Sequence, residues 1–284
     1  MTVLEVIQRS TEFLAKKGVD SPRLQTELIL AQLLQMPRLK LYLNFERNLA
    51  EPELETLRGW VRRRAEREPL QHILGSTSFC GLEIAVSRDA LIPRPESELL
   101  TERAGQLLAT IQDPRPSVLD FGTGTGCLAI ALAVKCPQVS IHALDVSAAA
   151  LELARANAAR HLVSEWIQFH CGDGFAALPA GVTFDLLMSN PPYIPSAEID
   201  SLEPEVRLHD PRLALDGGAD GLDFYRRLAS EAAPYVKPGG HILLEFGDGQ
   251  SAAIREIFER QKWIVEAVER DYSDRERIVT VRRG

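Results

Sequence analysis

The chain lacks any apolar run of about 18 residues, the length a membrane-spanning helix needs, so no transmembrane helix and no membrane partner are expected. Its N-terminus has no basic stretch leading into an apolar core. A secretory signal is therefore not expected, and the cytoplasm is the default location. Cysteine is scarce: Cys80, Cys127, Cys136 and Cys171 form no C-x-x-C pair and have no zinc-site spacing. Reduced, mostly buried thiols are the expectation. The 6 histidines are scattered with no H-E-x-x-H pair, so no metal is expected. Basic charge is also short, with 32 Lys and Arg against 40 Asp and Glu and a net charge of −8. Proteins that neutralise duplex phosphates usually present a basic face, so direct DNA binding is not expected. The local run Arg62-Arg63-Arg64 shares its helix with Glu53, Glu55, Glu66 and Glu68, which reads as a solvated face. The acidic balance leans towards a basic or neutral partner. There is no internal repeat and no low-complexity tract.

What remains is ordinary globular composition, 45% hydrophobic and 25% charged, over 284 residues, a length that suits two modest domains. Residues 2 to 70 read as helices only. Leu24, Leu28, Ala31 and Leu34 recur at helical spacing before Pro37, and Leu54, Leu57, Val61 and Ala65 form a second stripe after Pro52. These predict a small bundle over 1–74, a candidate for docking a protein substrate. Phe79, Leu82, Ile84 and Val86 alternate around Gly81, which predicts a β-hairpin linker over 75–92. The prolines of Ile92-Pro93-Arg94-Pro95 then hold an extended path.

From 93 to 284 the pattern becomes strand and helix in alternation. Strands are predicted at 117–121, 139–144, 167–170, 184–189, 242–246, 264–269 and 278–281, with a turn at Lys237-Pro238-Gly239-Gly240. A helix is expected at 128–134, and Ser147 is placed to cap an alanine-rich helix running to Arg160. Such alternation means an α/β fold, a seven-stranded, mostly parallel sheet covered on both faces. Ligands of these sheets bind beyond the carboxyl ends of the strands.

The first strand runs into Asp120-Phe121-Gly122-Thr123-Gly124-Thr125-Gly126. Glycines there let a ligand approach the backbone closely. No lysine follows, so this is not a phosphate-binding P-loop. Cys127 stands where a dinucleotide fingerprint needs its third glycine. The G-x-G-x-G after a strand ending in Asp120 resembles the cofactor loop of class I methyltransferases, whose donor, S-adenosylmethionine, carries no phosphate. Asp145, followed by Val146, ends the second strand about 20 residues on, where a ribose-binding acid belongs. The third strand ends in Asp173-Gly174-Phe175, where Asp173 can accept from an adenine amino group and Gly174 or Phe175 can border the ring. The fourth strand delivers Asn190-Pro191-Pro192-Tyr193. A planar nitrogen such as an amide NH₂ is a poor nucleophile because its lone pair is delocalised. The Asn190 side-chain oxygen and the Pro191 carbonyl can each accept one of its N–H groups and direct the lone pair. Pro192 stiffens the turn, and Tyr193 can pack against the flat target. Alone, this segment leaves amide, amine and nucleobase open.

The segments Pro69 to Gly75, Leu91 to Glu96, Asp120 to Gly126 and Asn190 to Tyr193 together resemble the HemK/PrmC protein-glutamine methyltransferases. The resemblance spans nearly the whole chain. It implies a class I Rossmann-like fold with S-adenosylmethionine as methyl donor. It also implies that the substrate amide binds at Asn190 to Tyr193, the substrate being the glutamine of the Gly-Gly-Gln motif in peptide chain release factors. The position after Asp173 often carries an aromatic ring in that family, whereas here it is Gly174. A monomer is expected. The rival readings are a ribosomal-protein glutamine methyltransferase, a DNA adenine methyltransferase and a non-catalytic scaffold. The long stretch Ile194 to Arg226, rich in proline and with Gly217-Gly218, is of a length that usually serves binding.

Overall fold

A computed structural model describes all 284 residues. The chain forms two compact units, Met1–Ser76 with Glu203–His209, and Thr77–Leu202 with Asp210–Gly284.

The first unit contains α1 (Val3–Lys16), α2 (Pro22–Leu33), α3 (Arg38–Leu41), α4 (Glu51–Ala65) and α5 (Leu70–Leu74). A capping box starts α1: the Thr2 hydroxyl accepts from Glu5 N at 3.3 Å, and the Glu5 carboxylate accepts from Thr2 N at 2.9 Å. The predicted α4 stripe is buried at Leu54, Leu57 and Val61. The α2 stripe is met in part: Ala31 is buried and Leu34 packs against the core, but Leu24 is exposed, and Ile29 and Leu30 fill the core beside them. In an apolar stretch such as Leu28-Ile29-Leu30-Ala31, several phases of the helix are compatible with burial, and packing chooses between them.

The arginine run is also more than a solvated face. Arg62 is exposed and Arg63 pairs with Glu68 at 2.7 Å, but Arg64 is only 4% exposed. Its guanidinium donates to Gln25 Oε1 at 2.6 Å, the Glu68 carbonyl at 3.2 Å and Glu205 Oε1 at 2.7 Å. Arg67 donates to both oxygens of Glu205, at 2.6 and 2.7 Å. A buried guanidinium must be paired, and a planar fork does this well. The partner comes from far along the sequence, which local charge patterning cannot show.

In the second unit, β1 (Ser76–Phe79) and β2 (Leu82–Ala85) form the hairpin. Its two-residue turn, Cys80-Gly81, has positive φ at both positions, 49° and 76°, as a type I′ turn requires. There follow α6 (Ser97–Leu108), β3 (Ser117–Phe121), α7 (Cys127–Lys135), β4 (Ser140–Asp145), α8 (Ala148–Arg160), β5 (Ile167–Cys171) and β6 (Phe184–Ser189). Between β6 and the remaining elements the chain passes through α9 (Pro204–Arg207), which belongs to the first unit and carries Glu205. It ends with α10 (Asp223–Glu231), β7 (Val236–Glu245), α11 (Ser251–Arg260), β8 (Trp263–Arg270) and β9 (Glu276–Arg283).

The 7-stranded sheet has the order β5-β4-β3-β6-β7-β9-β8, parallel except at β9. Each face is covered. Leu100, Leu128 and Ala158 of α6, α7 and α8 belong to one core, and Leu228 and Ile254 of α10 and α11 to the other. All of Phe184–Ser189 is buried, as a central parallel strand demands. The expected turn at Lys237 to Gly240 is absorbed into β7 as a bulge, because Phe184 pairs with Val236 while Leu186 pairs with His241. The extra residues bend the strand without ending it. The cysteines are unpaired, but they are not mostly buried: Cys80 and Cys171 are exposed at the hairpin turn and the end of β5.

Candidate active site

The strand order reverses at β3, which lies between β4 and β6, so a crevice opens at its carboxyl end. A cavity of about 1160 Å³, counting its open mouth, sits there. It lies wholly within the second unit.

The loop after β3 is drawn tight by Gly122 N and Thr123 N, which donate to the Leu144 carbonyl at 2.8 and 2.9 Å. Beneath it, fully buried Asp120 accepts from the Thr123 hydroxyl at 2.6 Å and from Ala129 N at 3.2 Å. Burial pushes the Asp120 carboxyl up to about 7. Gly122, at φ 77°, has nothing within 4 Å of where a Cβ would stand, so the turn is open towards the cavity. Thr123, Gly124 and Thr125 line the cavity with it. Gly126 does not. A Cβ there would meet Ala154 and Ile130 at 3.0 Å, so this glycine serves the packing of α7 on α8.

At the end of β4, Asp145 accepts from Gly124 N at 2.8 Å and Ser147 N at 2.9 Å. The acid is thus locked to the glycine loop, and it and Val146 face the cavity. Ser147 caps α8 as expected, accepting from Ala150 N at 3.2 Å.

Beyond β5, Asp173 and Gly174 line the cavity, but Phe175 does not. Its ring is buried in the core, stacked on Tyr235 at 4.6 Å and tilted against Phe121 at 5.0 Å. Gly174 starts a single 3₁₀ turn, and that turn directs the next side chain inward. The wall is completed by two residues of α10 that carry no motif, Phe224 and Arg227. Arg227 donates to Asp173 Oδ1 at 2.6 Å, and its Nη2 lies 2.2 Å from where a Cβ on Gly174 would stand. Glycine at 174 makes room for a guanidinium from another element.

At the end of β6, Asn190, Pro191 and Pro192 line the cavity opposite the glycine loop. Asn190 Nδ2 donates to Ser97 Oγ at 3.0 Å, and its Oδ1 makes no hydrogen bond within the chain. Ser189 anchors the turn by donating to the Phe121 carbonyl at 2.5 Å. Tyr193 is outside the lining: its ring lies along Gly247, and its carbonyl accepts from Gln250 Nε2 at 2.9 Å. Burial pushes its phenol up to about 12. Pro93 and Arg94 also reach the cavity, with Arg94 held by buried Asp210 at 2.5 Å.

Residues 5–75 match the PrmC N-terminal domain family and residues 101–202 the methyltransferase small domain family. The release factor glutamine methyltransferase of Geobacter sulfurreducens is 43% identical over 91% of this chain and 89% of its own. That of Chlorobaculum tepidum is also 43% identical, over 90% and 89%. That of Deinococcus radiodurans is 39% identical over 100% and 99%. Among solved structures, a Pyrococcus furiosus methyltransferase superposes with a TM-score of 0.52 at 20% identity, covering 72% of this chain and 90% of that one. The hMettl16 catalytic domain in complex with a MAT2A 3′UTR hairpin gives 0.53 at 17% identity, covering 82% of each. At those identities the superpositions speak for the class I methyltransferase fold alone. The near-full-length relatives go further, and the chain belongs to the release factor glutamine methyltransferase family.

Proposed function

We infer that this enzyme transfers a methyl group from S-adenosylmethionine to the side-chain amide nitrogen of a glutamine in peptide chain release factors, the glutamine of the Gly-Gly-Gln motif. The observation that carries this reading is the state of Asn190, which lines the cavity together with the glycine loop, with its amide NH₂ engaged by Ser97 and its oxygen free of any hydrogen bond within the chain.

The cavity fits the donor. An open glycine turn suits close approach of an amino acid end, and Asp145 suits a ribose diol. Gly174, Phe224 and the Asp173–Arg227 pair offer a polar edge and flat surfaces for adenine. Bound there, the sulfonium supplies a methyl group already activated for in-line displacement.

The rest of the work falls to the chain. Asn190 Oδ1 and the Pro191 carbonyl accept the two N–H groups of the glutamine amide and hold its nitrogen along the line of transfer. Alignment of this kind supplies a large part of the acceleration for a poor nucleophile. Pro191 and Pro192 are buried and have no N–H to compete for the acceptors. The neutral phenol of Tyr193 backs the turn, and the target amide meets the prolines and the Asn190 carboxamide.

The helical unit serves to dock the protein substrate, and the enzyme acts as a monomer in the cytoplasm. No helix is long and apolar enough to cross a membrane. Mass spectrometry of release factors after incubation with enzyme and donor tests the whole reading. The expected result is one added methyl on the Gly-Gly-Gln glutamine. Methylation of a ribosomal protein or DNA instead would reassign the substrate, and cofactor binding without turnover on any glutamine substrate would leave a scaffold.

A further inference from the structure

Asn190 belongs to a buried chain of hydrogen bonds. Its Nδ2 donates to Ser97 Oγ at 3.0 Å, and Ser97 Oγ donates to Glu245 Oε2 at 2.5 Å. Ser97 opens α6 and is 3% exposed, while Glu245 ends β7 and is 2% exposed. The three residues come from three parts of the chain that meet only in the folded unit; Ser97 lines the cavity beside Asn190, and Glu245 lies behind it, outside the lining.

The direction of the chain matters. A carboxamide has a donor end and an acceptor end of nearly the same shape, and only its partners distinguish them. A serine hydroxyl has a single hydrogen. The Glu245 carboxylate accepts that hydrogen, so towards Asn190 the Ser97 oxygen can only accept. It therefore selects the NH₂ end of Asn190, and Oδ1 must point the other way, into the cavity. The opposite rotation would set an NH₂ against the NH₂ of the substrate, and neither could accept.

We propose that Ser97 and Glu245 are positioning residues that lock the Asn190 carboxamide with its oxygen towards the substrate nitrogen. The proposal rests on the reading of Asn190 as the substrate acceptor. It makes turnover sensitive to the ionisation of a residue that never touches substrate. Once protonated, Glu245 can donate to Ser97, which frees the Ser97 hydrogen for Asn190 Oδ1 and permits the unproductive rotation. Burial raises the Glu245 carboxyl to about 7, with Ser97, Arg277 and Arg94 opposing the shift and Glu96 adding to it. The phenols of Tyr193 and Tyr225 also face this carboxyl and stay neutral, and Tyr225 donates to the Glu245 backbone carbonyl at 2.8 Å. An acid limb in kcat near neutrality is the consequence.

The test is steady-state methylation of a release factor by the full-length enzyme, with donor affinity from calorimetry and folding from thermal melts. Ser97→Ala should lower kcat about ten- to a hundredfold, the scale of a misaligned reacting group. Its donor affinity should stay unchanged, and Ser97→Thr, which keeps the hydroxyl, should recover most of the loss. Glu245→Gln cannot titrate, so its kcat profile should lose the acid limb of the native enzyme. A folded Ser97→Ala enzyme with native kcat overturns the proposal, as does a Glu245→Gln profile that keeps the limb. If Ser97→Ala fails to fold, Ser97→Thr and the Glu245→Gln profile still decide. Asn190→Ala separates the two levels. An active Asn190→Ala removes the substrate reading itself, whereas an inactive one beside a fully active Ser97→Ala removes only the relay.

Discussion

Asn190 and Asp145 stand at strand ends on either side of β3 but answer to different ligands, and single substitutions should separate them. Asn190→Ala removes an acceptor used only by the target amide. Methylation should fall by roughly 10²-fold or more while donor affinity stays nearly intact, the pattern of an interaction made in the transition state. Isothermal titration with donor, beside turnover assays, checks it, and a comparable loss of donor affinity would assign Asn190 to the cofactor. Asp145→Ala removes both the diol acceptor and the brace on Gly124 N. Hydrogen bonds to a charged group are worth about 1.5–3 kcal/mol, so donor affinity should drop roughly ten- to a hundredfold. At this scale the motif residues were legible because their chemistry is local to a strand end. Phe175, Tyr193 and Gly126 show the limit. Each lies in or beside a motif, yet Phe175 and Tyr193 are directed into the core and Gly126 against α8. Side-chain direction depends on the turn and on the neighbouring element. Ser97, Glu245, Phe224 and Arg227 had no sequence signal, since their partners lie tens of residues away.

At the scale of elements, the turn after β6 is held from behind by the long segment that follows it. Gly221, at φ 76°, lies so close to that turn that a Cβ would fall 2.3 Å from the Tyr193 carbonyl. Gly217 would meet the Pro192 carbonyl at 2.8 Å in the same way. Gly221→Ala combines a left-handed backbone position with a clash against backbone, so it should destabilise the fold by about 1–3 kcal/mol. It should also displace Pro191 and Pro192 and lower kcat. Denaturant melts and turnover measure the two effects, and a native melt with native kcat would mean the turn does not depend on this packing. The segment's length signalled a role, as did Gly217-Gly218. What it grips could not be read, because Glu205 finds Arg64 and Arg67 across about 140 residues. The β7 bulge has the same origin: Pro238 and Gly239 signal a turn locally, but pairing with β6 carries the strand through.

For the molecule as a whole, two buried carboxyls and one half-buried one set the pH dependence of stability. Burial raises Asp120 and Glu245 to about 7, above their unfolded values of 3.8 and 4.5. Their contribution is therefore complete below about pH 4 and is lost as pH rises through 7. Glu205 runs the other way. Burial opposes its ionisation, but the hydrogen bonds from Arg67 and Arg64 prevail and hold it at about 2, so its contribution is present above pH 4.5 and lost as pH falls through 2. Calorimetric melts should show a lower Tm at pH 8 than at pH 5.5, a difference that Asp120→Asn narrows. They should also show a loss of stability of the helical unit as pH falls from about 4.5 towards 2, and Glu205→Gln should already show that loss at neutral pH and remove its pH dependence. Equal Tm values at pH 5.5 and pH 8 would contradict the first expectation.

The order of amino acids by itself determined the α/β class, the helical N-terminal segment, the hairpin and the positions of the glycine loop, the acid and the Asn-Pro-Pro-Tyr turn. Periodicity and strand-end motifs are local, and each is complete within a few residues. Only the tertiary structure decided which of those side chains face the cavity, which arginine is buried, and that Ser97 and Glu245 reach Asn190 from two other elements. Those outcomes depend on close packing and on one-to-one pairing of donors with acceptors, which are settled between elements far apart in the chain.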